Sequence, residues 1–377
     1  VAQGQGRNCS SLRIAAIVLM QMQRNSFCFC LQFLFWVASC RTVASGQEVP
    51  RVLREEVSAR MADLAAQGIH QYYSLDFEGG MRSFEIMLKE FPNHPAGYLC
   101  MAGLIEAKMI MERQNEDEEE MYEYLEKSLK LCQAEIQAGR KASGYFFQGG
   151  ALGYRGLHKW RRKEHLGAFR DGTAGVRSLK MAVKLDPQLH DAFYGLGLYE
   201  YYKAKYSKTF SFIPFIRDTR EEGIKMLMQC MEKGLFSAAA ARVALMRIFL
   251  EEGRMEEAEK IGDWVVDAYP LYWDAHVLKA SVFRERDQPR EAIPFLEQAI
   301  RVLEERLPTN VYDRIRLQFE LAGLYEELEE SQQAVNLYRS VVEDTSSGDP
   351  DTVRDINAFK RKASHRLRSL GFVPGSE

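Results

Sequence analysis

No apolar run in this chain reaches the length of a membrane-spanning helix. The two longest, IAAIVLM (14–20) and FCFCLQFLFWVAS (27–39), fall well short of the ~20 residues required. Proline is sparse, 11 residues against 27 glycines in 377, which argues against a long disordered tract. An excess of one charge is also missing. Lys and Arg number 50 and Asp and Glu 53, so a net charge of -3 gives no global electrostatic case for nucleic acid or an acidic membrane surface. Seven cysteines do not make a disulfide framework. Cys9, Cys28 and Cys30 lie in the N-terminal apolar region and Cys40 at its edge, while Cys100, Cys132 and Cys230 are far apart, odd in number and set in helical patterns. Buried free thiols are expected there. Absent too are H-E-x-x-H, G-x-S-x-G and G-x-x-x-x-G-K-[ST], so the zinc protease, hydrolase nucleophile and P-loop readings lose their support. No catalytic residue, metal ligand or cofactor is expected.

What is present reads as two unlike parts. Residues 1–46 have the anatomy of a secretory leader: Arg24, the apolar core at 27–39, then the small residues of TVASG. Met20 or Met22 would place this region at a true N-terminus, so the start at Val1 suggests an upstream start or an over-extended reading frame. Two cleavage readings stand. VASC (37–40) resembles a bacterial lipobox with Cys40 as the lipid-bearing residue, and ASG (44–46) fits ordinary signal-peptidase cleavage before Gln47.

From about residue 55 the apolar period is helical and nothing reads as a strand. Breaks are expected at GG 79–80, FPNHP 91–95, LDP 185–187, EEGR 251–254, YPLYW 269–273 and RDQP 286–289. Phe249 and Phe283 are 34 residues apart, as are Ala258 and Ala292. Phe193, Leu196 and Gly197 make one copy of a pattern, with Glu200 where an aromatic is expected. Leu64, Gly68, Gly80, Phe84 and Pro92 make another. Leu245, Phe249, Ala258 and Pro270 follow, then Ala280, Phe283, Ala292 and Ala299, and finally Leu321, Ala322, Tyr325, Ala334 and Tyr338.

On these residues the chain resembles the tetratricopeptide repeat superfamily over roughly 55–345. The stretches 143–187 and 212–234 are also similar to a group of bacterial exported repeat proteins. The resemblance implies an all-α, right-handed superhelical solenoid of helix pairs over 47–349, with a divergent middle section and a capping helix within 350–377. Between Pro92 and Asp186 the period is lost. The acidic run beginning at Asn115 reads there as a helix start with Asn115 as N-cap. Gly149, Gly150, Gly153 and Gly156 read as close helix packing rather than a phosphate loop, and RRKEH (161–165) as a turn separating His158 from His165.

Two features suggest a binding surface. Tyr72, Tyr73, Tyr194, Tyr201 and Tyr202 fall where such arrays line a concave face, with Arg155 beside them, and their rings are expected to be partly exposed anchors. The opening unit also carries 14 added residues containing YSKTFSFIPFI (206–216), from which Phe212 and Phe215 are expected to contribute to contact. The resulting expectation is a non-enzymatic adaptor of the bacterial cell envelope, exported to the periplasm or the outer membrane, that holds a protein or peptide and not nucleic acid. Membrane association would run through the leader or a lipid on Cys40. A small-molecule or polysaccharide module with an aromatic groove is the alternative. Palmitate labelling of the native-leader protein separates the two cleavage readings: label lost in Cys40→Ser is expected from the lipobox, and label retained would exclude Cys40.

Overall fold

Five of the helix pairs are closed by the same turn. In these turns the second residue after the first helix takes a left-handed conformation: Leu75 (φ 57°), Lys163 (64°), Gly253 (74°), Asp287 (58°) and Glu329 (62°). The next N–H then donates back to a carbonyl five residues earlier, as in Asp76 to Gln71, Glu164 to Lys159, Arg254 to Phe249, Gln288 to Phe283 and Glu330 to Tyr325, at 2.8–2.9 Å. This satisfies carbonyls that the helix end would otherwise orphan. Only Gly253 adopts that φ without steric cost. The other four are held there by the pairing of the helices they join.

The computed structural model of the protein describes residues 58–207, 217–346 and 348–372, and these form fifteen helices and no strand. They run as α1 (Ala59–Tyr73), α2 (Phe77–Glu90), α3 (Pro95–Met111), α4 (Glu118–Gln137), α5 (Lys141–Arg161), α6 (His165–Leu185), α7 (Ala192–Ser207) and α8 (Arg220–Lys233). The order continues with α9 (Ala238–Glu251), α10 (Met255–Ala268), α11 (Trp273–Glu285), α12 (Pro289–Arg306), α13 (Val311–Glu327), α14 (Ser331–Glu343) and α15 (Pro350–Ser369). Helices consecutive in sequence pack on one another, giving an all-α array of helix pairs. Two compact units divide the chain. The first comprises residues up to Tyr72 together with 76–109 and 115–245, and the second comprises 73–75, 110–114 and residues from Met246 on.

Small residues stand where paired helices cross. Ala258, Ala292 and Ala334 are fully buried, as the repeat reading expects. The spacing that holds from pair to pair is 12 residues across the turn: Gly68 to Gly80, Met246 to Ala258, Ala280 to Ala292, Ala322 to Ala334. The divergent middle keeps it as well, through Glu106 to Glu118 and Gly156 to Ala168. What varies is helix length. Helices α5 and α6 are each 21 residues long, and their extension adds a second crossing at Gly149 and Gly175, 26 apart. A Cβ on Gly149 would lie 3.2 Å from the Gly175 carbonyl oxygen, and one on Gly175 3.1 Å from that of Gly149. The glycines of α5 are thus packing residues, as read. In α7 and α8 the crossing is tighter still, with a Cβ on Gly223 only 2.6 Å from the Gly197 oxygen.

Three local expectations need correction. Gly79 and Gly80 do not break a helix. They lie in the first turn of α2, whose N-cap Asp76 accepts a hydrogen bond from the Gly79 N–H at 2.8 Å. Gly80 is small because Gly68 O and Leu104 press on it. Asn115 is not the N-cap of α4: Asp117 holds that place, and the Asn115 side-chain oxygen accepts from Arg161 at 3.1 Å. The acidic first turn, Glu118 to Glu120, is where the reading placed it. The 34-residue step, finally, belongs to the α9–α12 pairs and not to the whole array. Helix α15 forms as expected, capped by Asp349, which accepts from the Asp351 and Thr352 N–H groups.

A pair of alanine substitutions tests the crossings. Gly172, in α6, has nothing within 4 Å of an added Cβ, so Gly172→Ala should stabilise by up to ~1 kcal/mol through helix propensity. Gly223→Ala must force α7 and α8 apart and should destabilise by ~1–3 kcal/mol. Chemical denaturation of both variants reads the difference, and equal effects would contradict the crossing geometry.

Candidate interaction surfaces

The aromatic residues expected to line a binding face are core. In the first unit Tyr72, Tyr194, Tyr201 and Tyr202 are buried, with Tyr201 0% exposed and Tyr202 5%; in the second unit Tyr73 is 0% exposed. The expectation of partly exposed anchors therefore gives way. The physical reason lies in α7 itself, whose apolar residues are spread round the helix instead of gathered on one side. Such a helix is enclosed by neighbours on all sides. Tyr201 stands edge-on to Tyr202 at 4.8 Å, and its backbone N and Cβ bound the space beside Gly223. Tyr72 tilts against Phe77 at 6.0 Å. Tyr73 stacks on Tyr269 at 4.6 Å and meets the edge of Tyr272 at 5.1 Å, all within the second unit. Phe212, Phe215 and Cys40 lie outside the described residues.

Arg155 is also committed internally. Its guanidinium holds Asp171 with two hydrogen bonds, Nε to Oδ2 at 2.8 Å and Nη2 to Oδ1 at 3.0 Å, and Lys159 Nζ adds a third at 2.7 Å. Burial would raise the Asp171 carboxyl, but the bonds from Arg155 and Lys159 outweigh it and hold it below the ordinary carboxylate range. That group stays ionised and pins α5 to α6.

A second network occupies the positions where other pairs place small residues. Glu106 stands in α3 and Glu118 in α4, and His158 of α5 lies between them, Nδ1 2.7 Å from Glu106 and Nε2 3.2 Å from Glu118. Arg161 completes it, with Nε 2.9 Å from the other Glu106 oxygen. Glu106 and His158 are fully buried, Glu118 and Arg161 half-buried, and the cluster ties three helices together. His165 begins the next helix beyond the 162–164 turn and sits beside Trp160 at 4.7 Å. The two histidines are separated as the RRKEH reading expects.

Open space survives at the glycines. An apolar cleft of about 40 Å³ lies among α5, α6 and α7, floored by Gly149, Gly153 and Gly175 and walled by Tyr154, Leu179 and Tyr194. An added Cβ at Gly153 would meet nothing within 4 Å, whereas one at Gly149 would strike Leu179 at 2.6 Å. In the second unit a more polar depression of about 240 Å³ is bounded by Ser281, Arg284, Asp287, Pro289, Leu324 and Glu327. Neither reaches the ~300–1,000 Å³ of small-molecule pockets. The sequence reading assigned the α5 glycines to packing and did not anticipate the space left between them. It also passed over the outer side of α6, where cations recur at 163, 170, 177 and 184, a seven-residue spacing visible in the sequence alone.

Compared with known proteins, the chain matches no family model and is similar to no curated protein. Among solved structures it is similar to a tetratricopeptide repeat protein from Parabacteroides merdae, at 13% identity and a TM-score of 0.36, over 79% of this chain and 98% of that one. It is also similar to yeast Tom70, at 14% identity and a TM-score of 0.41, over 98% of this chain and 77% of that one. At such identities and TM-scores neither likeness carries a partner or an activity to this chain.

The burial of Tyr201 has a measurable consequence. Tyr201→Ala should cost ~3–5 kcal/mol of stability, the range for truncating a large buried ring, and lower the melting temperature accordingly. A melt within 1 °C or so of the parent would return Tyr201 to the surface.

Proposed function

We propose that this chain is a non-enzymatic scaffold that binds a protein or peptide, with the glycine-floored cleft of the first unit receiving an apolar side chain of the partner. The cleft is the observation that carries this reading. At about 40 Å³ it is close to the ~30 Å³ share of one water in the liquid, so it fits a methyl-bearing tip and not a whole ligand. The polysaccharide alternative is weaker, because it needs rings free for stacking. Tyr194 and Tyr201 are packed in the core and Arg155 is bound to Asp171. Placement in the bacterial cell envelope, periplasmic or outer-membrane-associated, rests on the leader residues 1–46, with a lipid on Cys40 or cleavage at 44–46 as its two forms.

A small diazirine-bearing amino acid at Gly153 tests the cleft, since a Cβ added there meets no atom within 4 Å. In intact cells it should give a discrete adduct, while the same amino acid at the exposed Glu232 of α8 should not. Equal labelling from both sites, or none from Gly153, would overturn the assignment. Gly153→Leu should keep the fold and prevent co-purification of the labelled partner.

A further inference from the structure

The outer side of α6 carries charge of one sign. Lys163 in the preceding turn and Arg170, Arg177 and Lys184 in the helix are all exposed and recur every seven residues, nearly two helical turns, so they form one line. Arg170, Arg177 and Lys184 make no ion pair among the described residues. The helix has a single acid, Asp171, which is buried and taken by Arg155 and Lys159. Glu164 sits at the N-terminus, where the helix dipole favours an anion, and off the solvent line. Lys180 shares the face but is drawn to Glu200 at 3.4 Å.

Large apolar side chains flank the cations. Leu166 is 75% exposed, and Phe169, Met181 and Leu185 are exposed beside it. The opposite side of the same helix is the one that packs inward, through Ala168, Val176, Leu179 and Ala182. Solvent-facing Leu, Phe and Met on an already packed helix add exposed apolar surface with nothing among the described residues to cover it. Cations and large apolar tips sharing one exposed face make up the composition of a peripheral bilayer contact.

We propose that α6 is a docking ridge for an anionic lipid surface. Two observations favour a bilayer over an acidic peptide. The face is the convex side of a single helix about 30 Å long, and a flat surface can meet its whole length at once. It also needs two chemistries together: phosphates for the cations and the headgroup–acyl boundary for Leu166, Phe169, Met181 and Leu185. An anionic leaflet supplies both. No described helix is long and apolar enough to cross a membrane, so the contact is peripheral. It is independent of the leader and of any lipid on Cys40, and it requires no protein partner.

Flotation of the purified full chain tests this with vesicles of equal parts phosphatidylglycerol and phosphatidylcholine, and of phosphatidylcholine alone. The chain should partition to the anionic vesicles in preference to the neutral ones, and the preference should fall with salt. Each surface cation contributes about fivefold to binding an anionic leaflet, so Arg170→Gln/Arg177→Gln/Lys184→Gln should lose roughly a hundredfold. Leader segments are common to both proteins, so the difference reports α6. A Leu166→Ser/Phe169→Ser variant should also bind more weakly, and at high salt as well as low. An unchanged melt in each variant assigns the loss to the surface and not to the fold. Equal partitioning of parent and triple variant would overturn the proposal. So would charge-dependent binding of soluble polyglutamate with no preference for anionic vesicles, which would make the face a site for acidic polypeptide.

Discussion

The separation of two packed helices is set by the side chains that stand at their crossing, and at Gly197 and Gly223 there are none. Backbone there meets backbone, with the would-be Cβ of Gly223 2.7 Å from the Tyr201 nitrogen as well as 2.6 Å from the Gly197 oxygen. Such proximity leaves Cα–H groups against carbonyls, a weak attraction that large side chains would forbid. Everything larger is then arranged around the crossing. Tyr201 fills the space beside it, Leu227 closes it from α8, and the next pair packs on the result. The 12-residue spacing across most turns repeats this arrangement with Ala or Gly in both places at Gly68–Gly80, Gly156–Ala168, Ala280–Ala292 and Ala322–Ala334.

Much of this was legible in the sequence. Small residues at the crossings, the helical period and the capping helix follow from residue types whose physics is local, and α15 and the buried Ala258, Ala292 and Ala334 lie where they were read. The middle was illegible for a specific reason. A search for a 34-residue step fails when α5 and α6 are each lengthened, although the turn between them is unchanged: Lys163 takes the same left-handed place as Gly253. A search for the turn would have found Gly156 and Ala168. The pair Glu106 and Glu118 was hidden differently. Carboxylates at these positions contradict the small-residue rule until His158 and Arg161, some 40 to 55 positions along the chain, are known to lie against them. For the tyrosines, the even spread of apolar residues round α7 carried the signal, and it pointed inward.

The division of charge follows the same logic. Inside the first unit the buried acids Asp171 and Glu106 each have a named cation: Asp171 has Arg155 and Lys159, Glu106 has Arg161. Breaking one such pair leaves its partner stranded, so these residues are tied to the fold and unfit for exchange with a ligand. Arg155 illustrates the difficulty of inferring a site from residue type alone, because a guanidinium among tyrosines has the same composition whether it waits for a partner or already has one. Arg170, Arg177 and Lys184, which face outward on α6, have no such partner among the described residues. One helix therefore separates its two functions by side.

In the second unit, the Arg113 guanidinium lies 3.9 Å over the ring of Tyr312 and its Nε 3.2 Å from Asp313, a contact between residues 200 positions apart. Asp313 is buried; burial would raise its carboxyl, and Arg113 and Arg316 together hold it below the usual range. Repeat arrays are ordinarily quasi-one-dimensional, each unit touching only its neighbours. Closing a loop of 200 residues carries an entropic penalty of about 5 kcal/mol that purely local arrays never meet. The contact ties the 110–114 segment to α13 within the second unit, a constraint that a purely nearest-neighbour array does not carry.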